Sequence, residues 1–182
     1  MSDFLAETTD LLRRTPEVLR ALLAGVPAAW TDTPDVAGGW RPHDVVGHLI
    51  TAELDDWPVR TRRILDEGTS VPFERMDRFA HVGRDADATL LELVERFARL
   101  RSQNLALLGE LVTDADLDRR GLHPSLGEVT LRELLATWAV HDLDHLGQVY
   151  AGMAGSHDAD VGPWKAYLGI LLRRDDPSAV AG

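Results

Sequence analysis

Cysteine is absent from the 182-residue chain. This rules out disulfides, thiolate metal ligands and a thiol nucleophile of the protein's own, so any metal must be held by His, Asp or Glu. Aromatics are scarce at 6%, although five of them are Trp. No apolar run approaches the roughly 20 residues needed to cross a bilayer, so no membrane span is expected. Positive charge is also short: 19 Lys and Arg face 30 Asp and Glu, for a net −11. That balance speaks against nucleic acid as a primary partner, because phosphate binding needs a positive face. The opening Met1-Ser2-Asp3-Phe4 lacks the basic-then-apolar order of a signal peptide, and a cytoplasmic protein is the expectation.

Hydrophobic residues make up 45% and charged residues 27%, the balance of an ordinary globular protein. The length suits one domain, expected over residues 1–174, with 175–182 as a tail. Helical periodicity dominates. Phe4, Leu5, Leu11, Leu12, Val18, Leu19, Leu22 and Leu23 trace a first helix, in which Pro16 predicts a kink or a split. A second should start at Pro42, with Asp44 in its first turn, kink at Pro58 and end near Gly68. Residues 69–87 read as irregular. A third helix follows, about Asp87 to Val112, then a loop to Val129. Thr130 and Glu133 form a capping box that opens a fourth helix, ended by Gly152 and Gly155. Trp164 to Leu172 reads as a short fifth helix. No strand pair is expected. The fold class is therefore all-α, an antiparallel helix bundle with a short extra C-terminal helix.

The chemistry sits on the fourth helix. His141 and His145 are spaced i and i+4, which puts both imidazoles on one face. Chance supplies such a pair in about one sequence in four of this composition. Leu134, Trp138 and Val149 share the face, so the pair points into the bundle, where two buried polar groups need partners. A shared metal satisfies both; so would carbonyls, waters or carboxylates in a wet core. His48 is the candidate third ligand, on an apolar face with Val45, Leu49 and Ala52. His43 is expected to be exposed, and His81, His123 and His157 to be solvated in loops. Gln148 and Trp138 share the histidine face and are candidates to support the ligands from behind. Glu53 could reach the site as a general base, or be a solvated helix residue; Asp142 is expected at the surface. Three neutral imidazoles would leave a coordination position open, as catalytic sites do. Such a set suits Zn, Ni, Fe, Co or Cu.

At these residues the chain resembles the DinB/YfiT-like superfamily. Trp40-Arg41-Pro42 followed by His48-Leu49 is similar to its Trp-x-Pro-x-x-x-x-x-His-Leu opening of the second helix, and His141 to Gln148 to its His-x-x-x-His-x-x-Gln. The resemblance implies an up-down-down-up four-helix bundle, often a homodimer. It also implies a divalent metal, Zn or Ni foremost, on His48, His141 and His145. The implied activities are metal-dependent hydrolysis or thiol-dependent S-transfer on a small molecule, in some members with mycothiol, as in mycothiol-dependent maleylpyruvate isomerase. Arg41 departs from the small capping residue frequent there, and either weakens the helix start or faces the substrate. With Arg60 and Arg62 it is a candidate cation for an anionic substrate, and with Glu53 a candidate catalytic residue. The alternative is a non-catalytic, metal- or ligand-binding stress-response module.

Overall fold

The computed structural model describes residues 3–174; the expected tail at 175–182 lies outside them. Four long helices carry the fold: α1 (Phe4–Leu23), α2 (Pro42–Asp55), α5 (Leu90–Leu111) and α6 (Leu131–Gly155). Between α2 and α5 lie α3 (Trp57–Asp66) and the short α4 (His81–Arg84); α7 (Gly169–Arg174) follows α6. Contacts between helix ends give their directions. Arg20, late in α1, meets Glu95, early in α5, so these two are antiparallel. Arg132 at the start of α6 lies over the Phe4 ring at the start of α1, so α1 and α6 are parallel. His43 at the start of α2 bonds the Ala88 carbonyl just before α5, and Glu53 near its end meets Asn104 further along α5. The order is up-down-down-up.

Local chemistry sets the boundaries. Asp3, Thr89 and Thr130 cap α1, α5 and α6, each accepting from a backbone N–H of the first turn. Thr89–Glu92 and Thr130–Glu133 are reciprocal capping boxes, the second as the sequence predicts. At α2 the Asp44 carboxylate accepts from the Arg41 N–H at 3.1 Å and from its Nε at 3.3 Å. The guanidinium is thus tied to the helix start.

Several expectations are corrected. Pro16 does not split α1, which is continuous from Phe4 to Leu23. Pro58 does not kink one long helix: the chain breaks at Asp56 (φ −118°, ψ −81°), and Pro58 falls in the first turn of α3, where a missing N–H costs nothing. Residues 69–87 include α4, which docks on α2 at Gly47; a Cβ there would stand 3.0 Å from His81 Cβ. The stretch before α6 contains an antiparallel hairpin, β1 (Arg120–His123) and β2 (Gly127–Thr130). Its strands are too short for a period-two pattern to stand out. Phe73 N–H bonds the Leu122 carbonyl at 2.8 Å and holds the hairpin to the chain after α3. The predicted Trp164–Leu172 helix is a 3₁₀ turn over Gly162–Tyr167 followed by α7. None of the described helices is long and apolar enough to cross a membrane.

The core has two lobes. One gathers Leu12, Trp57, Leu131, Leu135 and Trp138; the other gathers Leu19, Val46, Ile50, Val94, Phe97 and Val149. Arg101, 1% exposed, lies among these side chains. It donates to Glu53 Oε1 through Nε and Nη2 (3.0 and 2.8 Å) and to Asp142 through both terminal nitrogens (2.6 and 2.9 Å). Asn104 and Trp138 also donate to Glu53. Burial works against charge on both Glu53 and Arg101, and their mutual pairing works for it.

Candidate metal centre

α2 brings His48 against α6, and three imidazoles converge. His141 Nε2 lies 3.0 Å from His145 Nε2 and 3.3 Å from His48 Nε2. One nitrogen from each residue falls within a span of 4.8 Å, a grouping that could hold a metal ion. Each of the two pairs at 3.0 and 3.3 Å can bridge an ion about 2.0–2.1 Å from both nitrogens, at N–metal–N angles of about 95–107°.

The outer nitrogens determine what the inner ones present. His145 Nδ1 is 2.6 Å from Gln148 Oε1, and His48 Nδ1 is 3.3 Å from the Arg78 carbonyl. Both partners are acceptors, so both Nδ1 atoms carry the proton and both Nε2 atoms are bare lone pairs. They face the Nε2 of His141, which can donate to one of them at most. His141 Nδ1 is buried without a partner. A cation between the three Nε2 atoms resolves the convergence of lone pairs and frees His141 to keep its proton on Nδ1. The donor set thus fits a divalent transition metal.

Protonation is suppressed throughout. Burial, then the neighbouring imidazoles, push His48 down to about 3 and His141 down to about 2. Burial also lowers His145, against the pull of Gln148. Neutral imidazoles are the metal-binding form. The rings are walled by Trp40, whose centroid is 4.7 Å from His48 and 6.2 Å from His145, and by Trp57, edge-on to His141 at 5.0 Å.

The other sequence candidates divide. Gln148 bonds His145 through its Oε1. Trp138 stacks on Trp57 and donates to Glu53, not to a histidine. Glu53 is buried and committed to Arg101, Asn104 and Trp138, so it is neither solvated nor aimed at the cluster. Asp142, expected at the surface, is 1% exposed in the same ion network. His81, expected in solvent, is buried with both ring nitrogens unpartnered, its centroid 5.2 Å from Trp40 and 6.3 Å from His48. His43 is part-buried rather than exposed.

Arg101 is not among the sequence candidates, although it falls four residues after Phe97 on the apolar stripe of α5, the signal that marks a buried charge. The cluster opens into a cleft of about 1460 Å³ lined also by Trp40, Arg60, Arg75, Arg78, Phe79 and His123. Of the three candidate cations only Arg60 is among its lining residues; Arg41 and Arg62 are not.

A family model described as the DinB superfamily matches residues 11–149. A curated protein of Bacillus licheniformis, named "Putative metal-dependent hydrolase", is 29% identical over 143 residues, covering 77% of this chain and 80% of its own. A Geobacillus kaustophilus protein of the same name is 31% identical over 144 residues, covering 76% of this chain and 78% of its own. Among solved structures, YfiT from Bacillus subtilis aligns with a TM-score of 0.71 at 23% identity, over 82% of this chain and 86% of that one. It is described as "a probable metal-dependent hydrolase with an unusual four-helix bundle topology". At that identity the likeness speaks for the fold alone.

Proposed function

The chain belongs to the DinB superfamily, and on that premise we propose that it is a metal-dependent enzyme whose centre is His48, His141 and His145. The observation that carries this reading is the meeting of three Nε2 atoms, two of them held as lone pairs by Gln148 and the Arg78 carbonyl. A divalent ion on these residues, zinc or nickel foremost, supplies Lewis acidity for activating a nucleophile. The chain's own part is to orient the donors, keep them unprotonated and leave an approach open from the cleft. Trp40 and Trp57 exclude water from the flanks of the rings. The names carried by the relatives favour hydrolysis, with water as nucleophile.

Thiol transfer is the second reading, and the size of the cleft favours it. At about 1460 Å³ it exceeds the 300–1,000 Å³ typical of a single small-molecule pocket, leaving room for a thiol such as mycothiol beside its electrophile. With no cysteine in the chain, that thiol must come from outside.

Elemental analysis of protein purified under metal-replete conditions, followed by turnover assays with ester and amide substrates and with electrophile plus low-molecular-weight thiol, tests both. One equivalent of metal, lost together with turnover in His48→Ala, is the expected result. Metal-free wild-type protein overturns the centre; stoichiometric metal without turnover that depends on His48 overturns the enzyme.

A further inference from the structure

The cleft over the histidines reverses the charge of the chain. Five arginines line it against two aspartates, Asp35 and Asp144, in a protein of net charge −11. The arginines are not equally available. Arg60 pairs with Asp56, Arg174 donates to the carbonyls of Pro34 and Asp35, and Arg78 lies over the rings of Trp40 and Phe79. Arg75 and Arg173 are exposed and make no hydrogen bond or ion pair among the described residues; of the two, only Arg75 acts with Arg60 on His123.

His123, at the end of β1, lines the same cleft, and its pKa is lowered by burial first and then by the charges of Arg60 and Arg75. Its Nδ1 accepts from the backbone N–H groups of Ser125 and Leu126, at 3.2 and 3.1 Å. A neutral imidazole has one acceptor nitrogen and one donor. The two accepted bonds therefore place the proton on Nε2 and make it a fixed donor. The β-hairpin thus holds a neutral N–H donor in the lining of the cleft, within the field of Arg60 and Arg75, which line it too.

We propose that Arg75 and His123, with Arg60 behind them, bind an oxyanion, so that the substrate class is small molecules carrying a carboxylate or phosphate. A guanidinium presents paired N–H groups to two oxygens of such a group, and the imidazole N–H supplies a further donor. A ligand held there by its anion extends its remaining atoms into the cleft that the three Nε2 atoms share. The assignment of this anion to the substrate rests on the metal-enzyme reading; the binding of the anion does not.

The test is calorimetric titration of the full chain, metal-stripped and zinc-loaded, with glutarate, methyl phosphate and glutaramide, the neutral isostere of glutarate. At least one anion is expected to bind in both forms, more weakly as salt rises, and glutaramide not measurably. Tighter binding of glutarate or of methyl phosphate supports the site and tells which group it takes. Arg75→Gln should weaken the anion at least tenfold. His123→Asn should weaken it several-fold, because Asn can still accept from Ser125 and Leu126 while the Nε2–H is lost; unchanged circular dichroism and melting confirm the fold of both variants. Equal binding of glutaramide, wild-type affinity in both variants, or no anion binding in either form overturns the proposal. The two readings fail separately: anion binding that depends on Arg75 without zinc uptake leaves this site and removes the metal centre, and zinc uptake without anion binding does the reverse.

Discussion

Arg101 Nη1 donates to the carbonyl oxygen of Leu12 at 2.7 Å, and that oxygen is available because Pro16, four residues on, has no N–H to give it. The proline that should disrupt α1 instead supplies an acceptor for the charge in the core. The same guanidinium ties Glu53 on α2 to Asp142 on α6, the two helices that carry the histidines. Arg101→Met should cost about 3–5 kcal/mol, since it leaves two buried carboxylates without a counter-charge. Replacing all three charges, Arg101→Met with Glu53→Met and Asp142→Leu, should recover most of that loss. Chemical denaturation of the two variants checks both values; a single variant as stable as wild type would mean that the network contributes nothing.

In metal-stripped protein, stability should fall with acid. His48 and His141 are held at about 3 and about 2 when folded but titrate near 6.5 when unfolded. Below pH 6.5 the unfolded chain therefore binds more protons. Their stabilising contribution is complete above that pH and is lost as pH falls toward the folded values. Asp56 acts in the opposite sense: burial raises it to about 6, so the folded state gains as pH falls from about 6 toward 4. Between pH 7 and pH 5 the two histidines lose on the order of 2 kcal/mol each and Asp56 returns about 1, a net loss of roughly 2–3 kcal/mol. Urea midpoints at the two pH values measure it, and His48→Gln should flatten the dependence by about two-thirds, since Asp56 then offsets half of what the remaining histidine loses.

The long helices and the histidine trio were legible because both follow one rule, a period of 3.6 residues: Leu131, Leu135, Trp138, His145 and Val149 mark the buried face of α6 without help from the fold. Asp142 lies on that stripe too, four residues after Trp138, and was misplaced because a carboxylate is expected outside unless its partner is known. Its partner is Arg101, 41 residues away. The burial of His81 depends in the same way on a distant event, the docking of α4 against Gly47. The hairpin was hidden because its four-residue strands take their stability from Phe73 and α6, which local pattern does not record.

That dependence makes Gly121 a sensitive position. It sits in β1 where a Cβ would come within 2.6 Å of the Phe73 ring and 2.7 Å of Ile64. Both neighbours are core side chains with nowhere to retreat. Gly121→Ala should destabilise by about 1–3 kcal/mol, as overpacked cores do. It should also displace His123, two residues on, and so weaken anion binding more than a surface change such as Glu128→Ala. Thermal melting and the glutarate titration read the two effects; wild-type values in both would show that the hairpin does not rest on this contact.

Gln148 offers the most direct test of how the centre is tuned. Its Oε1 receives the Nδ1 proton of His145 at 2.6 Å and thereby fixes which nitrogen faces the cluster. In Gln148→Ala the ring can present a protonated Nε2 instead, so binding an ion would require a change of tautomer and the release of a fixed orientation. Loss of such a partner typically costs 10–100-fold in metal affinity. Zinc affinity measured by competition with a chelator should fall by that factor, while His48→Ala, which removes a donor outright, should fall further. Gln148→Glu should retain or exceed wild-type affinity, because a carboxylate accepts the same proton and adds a negative charge beside the cation. If both Gln148 variants bind zinc as the wild type does, the bond to His145 has no part in setting affinity.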